Sequence, residues 1–324
     1  MTILIASSTT DVAAKAIQSE LRERGASCVW VDFASFPTRD KILFSLNASS
    51  PGLRSIYLGD HGELDLNGIH SIIWRRPGSA QASEAIAASE ARAYVTSAAN
   101  EVLMGLFACV DCFQFPARRD VLRAAHSKLL QLRIASELGF RLPETLITNS
   151  PEEFLDFVAQ HEGRVITKPA AVFVPDILMN AVPGYTRLLR PRDLVHYRDI
   201  ESCPVIIQSY VKKRFELRVT VVGNDVFAAE IHSQASLQAK VDWRRYDDAN
   251  TPYYVHNLPA DMQSKCVELT RALGLSYGAI DMILDQDNQY VFLEINPNGE
   301  YQWVEHMTGL PITERIARIL IEHC

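Results

Sequence analysis

No stretch of the 324 residues is apolar for long enough to cross a bilayer, and Met1 leads straight into a strand-like segment without a secretory leader pattern. A cytoplasmic protein with no membrane partner is therefore expected. Basic residues are not in excess: 32 Lys and Arg stand against 39 Asp and Glu, a net charge of −7, which argues against a nucleic-acid partner held by a positive field. Internal repeats, low-complexity tracts and long charge runs are missing, and a composition of 48% hydrophobic and 22% charged residues excludes disorder. Among the six cysteines, Cys109 and Cys112 form a C-x-x-C with no second ligand pair to complete a zinc site. Set in an apolar run, they read as buried thiols on a helix flank.

The chain is more than twice the size of a comfortable single core, so two or three domains are expected. Thr2 to Ser7 reads as a buried strand, followed by a helix with Val12, Ala16, Ile17 and Leu21 on one face and Gly25 as its stop. Val29 to Asp32 then reads as a parallel strand. This Rossmann-like opening has no G-x-G-x-x-G, which makes a dinucleotide site a poor reading. Ser71 to Trp74 is a further strand ending in Arg75-Arg76-Pro77, and residues 79–112 have helical spacing. The arginine pair is either a domain-interface clamp, the favoured reading, or a peptide-binding spot. Apolar residues from Arg119 to Leu138 keep a helical period, and Ser150-Pro151-Glu152-Glu153 reads as a capping box. Arg164 to Lys168 is a strand stopped by Pro169, and residues 170–187 are a candidate mobile loop. The last third is strand-rich: Val205 to Tyr210, Leu217 to Val222, Val226 to Ile231, and a hairpin of Ala279 to Leu284 with Tyr290 to Ile295.

That hairpin carries the chemistry. Strict alternation turns Val291, Leu293 and Ile295 one way and Glu294 and Asn296 the other, while Asp281 opposes Ile280 and Met282. Paired arms would bring Asp281 and Glu294 together, and adjacent carboxylates repel unless something positive lies between them. Asp281, Glu294 and Asn296 are all oxygen donors and suit Mg²⁺, or Mn²⁺, carrying nucleotide phosphates; the alternative is a solvated acidic face. Lys128, Lys168 and Arg218 are basic residues in separate elements, and Arg218 lies inside an apolar strand where an anionic partner would justify its charge. Glu216 shares the strand face of Arg218 and could accept from ribose hydroxyls. Each basic residue alone would also fit a surface ion pair.

In their order along the chain, Lys128, Lys168, Gln208-Ser209-Tyr210-Val211, Glu216-Leu217-Arg218, Asp281 and Glu294-x-Asn296 resemble the ATP-grasp carboxylate–amine ligase superfamily. Ile73 to Pro77, Lys128 to Leu132, Leu142 to Asn149, Leu217 to Gly223, Ile231 to Gln234, Asp242-Trp243-Arg244 and Phe292 to Gly299 are similar to the ATP-grasp synthetases of ω-ester and ω-amide peptides, the microviridin or graspetide group. The resemblance implies an α/β (α+β) ATP-grasp fold: a Rossmann-like pre-ATP-grasp domain (1–116), a central domain (117–204) and a C-terminal antiparallel domain (205–324), with ATP between the last two. It also implies that Lys128 and Lys168 contact phosphate, the backbone of Gln208, Ser209, Tyr210 and Val211 holds adenine, Glu216 takes the ribose, Arg218 the γ-phosphate, and Asp281, Glu294 and Asn296 the Mg²⁺. A homodimer and a precursor peptide with a leader are further expectations from the group. The sequence departs from the pattern after Lys168, where Pro169 to Pro183 holds no glycine although many relatives carry a Gly-rich lid.

The expected activity is ATP-dependent ligation through an acyl phosphate, joining Asp or Glu side chains of a ribosomal precursor to Ser/Thr hydroxyls or Lys amines. Two alternatives stand beside it: a ligase that modifies a protein terminus or a small metabolite, and an ATP-binding regulator without turnover. Arg244 is either the holder of the substrate carboxylate or a surface-loop arginine, and His232 either supports the site or packs in its strand.

Overall fold

The computed structural model describes residues 2–47, 50–168, 186–235, 243 and 251–323. Strands β1 (Thr2–Ala6) and β2 (Ser27–Val31) flank helix α1 (Val12–Glu23). An antiparallel meander of β3 (Lys41–Asn47), β4 (Ser50–Gly59) and β5 (Gly62–Asp65) is inserted before β6 (Ser71–Trp74). After α2 (Ser89–Ala108), β7 (Phe113–Phe115) completes a parallel sheet of order β2-β1-β6-β7. Strand β1 is covered on both faces, as a parallel strand requires: Leu4 and Ala6 join one core with Trp74, Ile3 and Ile5 another with Ile17. At the β1–α1 turn Asp11 caps the helix, its Oδ1 accepting from the Ala14 amide at 3.0 Å, while Ser7 Oγ donates to Oδ2 at 2.9 Å. A carboxylate thus occupies the place where a Rossmann site would receive phosphate.

Three local expectations change. The buried face of α1 is Ala13, Ala14, Ile17 and Leu21, whereas Val12 is 67% exposed, because it lies about 140° around the helix from Ile17, near the centre of that face. Residues 79–88 are not helical; the Ala80 amide donates to Asn100 Oδ1 at 3.0 Å and ties this strap to the side of α2. The cysteine pair is not buried: Cys109 ends α2 exposed and Cys112 is half-covered.

The next segment is broken where continuous periodicity predicts one helix. Helix α3 (Arg119–Ala125) stops, and α4 (Lys128–Glu137) restarts with Ser127 as its N-cap. The Ser127 hydroxyl accepts from the Leu130 amide, and Gln131 Nε2 reaches back to the Ala125 carbonyl at 2.7 Å. The break puts Lys128 in the first turn of α4. A second sheet of order β10-β9-β11-β8 follows, made of β8 (Thr145–Thr148), β9 (Val165–Lys168), β10 (Arg187–Leu188) and β11 (Val205–Ser209), with α5 (Pro151–Gln160) packed on it. Only half of the expected capping box forms: Ser150 Oγ accepts from Glu153, but the Ser150 amide donates to Thr148 Oγ1 at 2.9 Å.

The third sheet, of order β14-β13-β12-β15-β16, is antiparallel throughout: β12 (Lys213–Val222), β13 (Asp225–Ile231), β14 (Tyr253–Val255), β15 (Tyr277–Asp285) and β16 (Tyr290–Asn296), with α6 (Ala260–Ala272) between β14 and β15. Leu217, Val219, Ile280 and Met282 face its core. Helices α7 (Gln302–Thr308) and α8 (Ile312–Glu322) close the chain, and α8 buries Ile312, Ile316 and Leu320 against Ile3, Ile5 and Ile17. Packing therefore crosses between the expected units 1–116 and 205–324. Among the described residues no helix is long and apolar enough to cross a membrane.

Candidate functional site

A cleft with about 610 Å³ of space between its walls lies between the second and third sheets. Antiparallel register builds the polar wall. Arg218 on β12 stands opposite Asp281 on β15, which stands opposite Glu294 on β16. Arg218 Nη1 donates to Asp281 Oδ1 and Oδ2 at 3.0 and 3.1 Å, and Lys128 from α4 reaches Glu294 Oε2. The wall is thus one row of alternating partners, Arg218–Asp281 and Glu294–Lys128, in which each carboxylate is balanced by its own cation. Burying the two acids without these cations would cost several kcal/mol, roughly, per charge. Burial works against the charge on Arg218, but Asp281, reinforced by Tyr277 and Glu294, outweighs it and holds the guanidinium above its ordinary pKa.

Arg218 is fixed from several sides. Its Nη2 donates to the Glu300 carbonyl at 2.9 Å, and Cζ lies 5.9 Å from the Trp243 ring centroid. Its Nε is buried with no hydrogen-bond partner among the described residues. Arg75, at the end of β6, donates to Glu300 Oε1 at 2.7 Å and Asn298 Oδ1 at 3.1 Å, joining the first sheet to the loop that follows β16. It is 5% exposed, and the clamp reading fits its position.

Strict alternation fails in two places, both at β-bulges. On β16 the register passes from Asp281–Glu294 to Met282–Phe292, so Leu293 is an extra residue. Phe292 is fully buried against Phe140, and Leu293 lines the cleft beside Glu294. The expectation that Leu293 shares the core face of Ile295 is corrected accordingly. On β12 a register shift between Lys213 and Phe215 turns Lys213 onto the same side as Glu216. This buried lysine, which spacing did not single out, ion-pairs with Glu216, whose other oxygen accepts from Ser233 Oγ.

The remaining residues singled out in the sequence also gather here, where described. Lys168, Ser209, Tyr210, Val211 and Glu216 line the cleft with Asp281 and Glu294, alongside an apolar slot of Pro143, Ile166, Ile283 and Leu293. Burial, then the Glu216 charge, raises the pKa of Tyr210. Gln208 faces an adjoining recess with Lys128, Lys168 and Glu294. Its Nε2 donates to Thr145 Oγ1 at 2.9 Å, and its buried Oε1 has no hydrogen-bond partner among the described residues. Asn296 Nδ2 donates to Asp281 Oδ2 at 3.1 Å. Arg244 and the segment Pro169–Tyr185 lie outside the described residues, while Trp243 lines the cleft and packs on Trp303 at 4.9 Å between centroids. His232 lies outside the lining of the cleft; it bonds Glu230 at 2.7 Å and packs on Phe215.

No group of three His, Cys, Asp or Glu residues gathers into a metal cluster among the described residues. The donor set expected from the sequence, Asp281, Glu294 and Asn296, is two carboxylates and one amide oxygen on two paired strands. That suits Mg²⁺, which keeps water and shares its shell with substrate phosphates instead of taking an all-protein cage.

Residues 125–320 match the RimK-like ATP-grasp domain. The chain belongs to that family. It is an ATP-grasp ligase. Two solved structures match it over nearly their full length. The macrocyclase MdnC bound with precursor peptide MdnA, from Microcystis aeruginosa MRC, is 28% identical with a TM-score of 0.87 and covers 99% of this chain and 100% of its own. A RiPP-associated ATP-grasp ligase of Chryseobacterium gregarium, in complex with ADP and a leader and core peptide, is 27% identical with a TM-score of 0.89 over 100% of this chain and 97% of its own. A probable alpha-L-glutamate ligase of Klebsiella pneumoniae is 25% identical over 205 residues, which are 62% of this chain and 66% of that protein.

Proposed function

We propose that this ATP-grasp ligase activates side-chain carboxylates of a ribosomally made precursor peptide and closes them onto Ser/Thr hydroxyls or Lys amines of the same peptide. The observation that carries the reading is the row of Arg218, Asp281, Glu294 and Lys128 along one wall of the nucleotide cleft. Full-length likeness to two peptide-modifying ligases supports the choice of substrate.

A carboxylate is a poor acyl donor because oxide leaves badly. Its oxygen attacks the γ-phosphorus of ATP, ADP leaves, and the acyl phosphate so formed gives up phosphate when a hydroxyl or amine attacks its carbonyl carbon. Asp281, Glu294 and Asn296 would hold Mg²⁺, which when bound would neutralise charge on the phosphate oxygens. The chain's own residues position and neutralise. Arg218, locked by Asp281, the Glu300 carbonyl and Trp243, presents a fixed positive edge to the transferring group. Lys128 and Lys168 approach the same recess from α4 and β9 and place point charges on the phosphates. Glu216, oriented by Lys213 and Ser233, takes the ribose hydroxyls, and the apolar slot beside Tyr210 and Val211 takes the adenine ring.

The test is incubation with ATP, Mg²⁺ and a precursor peptide encoded beside the gene. Loss of one water mass per ring is the expected result. A mass gain of one amino-acid residue would support the second reading, favoured by the glutamate-ligase relatives: addition of amino acids to a terminus. ADP release with no change in peptide mass would overturn the macrocyclisation reading.

A further inference from the structure

A second, wider concavity of about 1510 Å³ opens along α2 and α3, with Asn298 in its lining. Arg118, Arg119 and Arg123 line it together with His126, Glu101 and Asp120. These arginines differ from those that hold the fold together. Arg75 and Arg218 are buried and bonded to carboxylates. Among the described residues none of the three groove arginines has an ion pair: Arg118 donates only to the Ala108 carbonyl at 2.7 Å, and the Arg119 guanidinium lies 5.4 Å from the Trp74 ring centroid. Stacking on Trp74 keeps the planar fork of Arg119 ordered while leaving its N–H edges to a ligand. The groove is positive in count, with three arginines against Glu101 and Asp120. Burial, followed by the charges of Arg119 and Lys128, holds the His126 imidazole below its ordinary pKa. Asn298, in the same lining, lies two residues beyond Asn296 and is bonded to Arg75, so the groove touches the loop that follows β16.

We propose that this groove binds the carboxylate side chains of the polypeptide being modified, with Arg118, Arg119 and Arg123 as its anchors. The inference rests on the peptide-substrate reading and names where the acidic stretch of that substrate docks. Guanidinium forks suit carboxylates because both are planar and bond in pairs.

Fluorescein-labelled hexaglutamate is the probe, titrated by anisotropy into the full chain with ADP and Mg²⁺ present. Binding that weakens with added salt is expected, and Arg119→Ala with Arg123→Ala together should weaken it about tenfold or more while ADP affinity stays within about twofold. Arg123→Glu, at an exposed position, gives the same direction without disturbing the Trp74 contact. The ring-proton titration of His126 should move upward on adding hexaglutamate to the unaltered chain and stay put in the double variant. Equal hexaglutamate affinity before and after substitution, equally tight hexaglutamine, or displacement by single-stranded oligonucleotide at lower concentration than by unlabelled hexaglutamate would each overturn the proposal. The titration needs no turnover, so a failed groove leaves the mass assay intact, and a failure to form rings leaves this titration intact.

Discussion

At the scale of single residues, the site depends on how closely backbone approaches Arg218. A Cβ at Gly299 would lie 2.7 Å from Arg218 Nη2 and 2.7 Å from Ala279 Cβ, so only glycine lets the loop pass between them. Tyr277 adds a hydroxyl bond to the Gly299 carbonyl at 2.8 Å, and burial, opposed by Arg75 and Arg218, pushes its phenol up to about 12. Gly299→Ala is therefore expected to displace Arg218. It should cost about 1–3 kcal/mol of stability and slow ATP turnover about 100-fold, because the guanidinium loses its alignment. Thermal melts and ADP release check both effects; turnover within twofold of the parent would show that Arg218 is not positioned by this contact.

At the scale of elements, the two bulges separate what was legible in the sequence from what was not. The hairpin, the pairing of Asp281 with Glu294 and the strand placement of Arg218 follow from apolar alternation, which survives because each strand has one face to bury. The extra residues do not announce themselves. Phe292 and Leu293 are both large and apolar, so nothing local says which is core, and Lys213 sits in a basic run, Lys212-Lys213-Arg214, that looks solvated. The α3–α4 break was hidden likewise, because the apolar period continues across it and only the capping use of Ser127 reveals it. The bulge gives adjacent residues opposite roles, and this can be measured. Phe292→Ala should cost about 3–5 kcal/mol by chemical denaturation with ADP affinity retained in the folded fraction. Leu293→Ala should barely change the denaturation midpoint yet weaken ADP about tenfold, the loss of roughly one apolar contact on the ring. A reversed pattern would restore simple alternation and remove the bulge.

At the scale of the whole molecule, charge ties the sheets to one another. Arg75 links the parallel sheet to the loop after β16, and α8 closes the core of the first sheet from the far end of the chain, a contact that no local pattern reports. On the third sheet, Glu230 bonds both His232 and His256 at 2.7 Å, and His256 bonds the Tyr290 hydroxyl at 2.9 Å. Burial pushes the Glu230 carboxyl up, but the two imidazoles outweigh it and hold it below its ordinary value. A carboxylate that binds its proton less readily folded than unfolded stabilises the fold above the unfolded value, about 4.3, and loses that contribution as pH falls through the lower folded value. Stability should therefore fall with acid below about pH 4.5, and Glu230→Gln should flatten that part of the curve; an unchanged slope would remove Glu230 from the cause. The central claim, that Asp281, Glu294 and Asn296 hold a divalent ion against nucleotide, is tested most directly by electron paramagnetic resonance of Mn²⁺ titrated with ADP present. The unaltered chain should take up Mn²⁺ with a nucleotide-dependent spectrum, and Glu294→Gln, which keeps volume but drops a ligand charge, should weaken that uptake about 100-fold while the fold melts normally. Equal Mn²⁺ uptake by the two proteins would contradict the account.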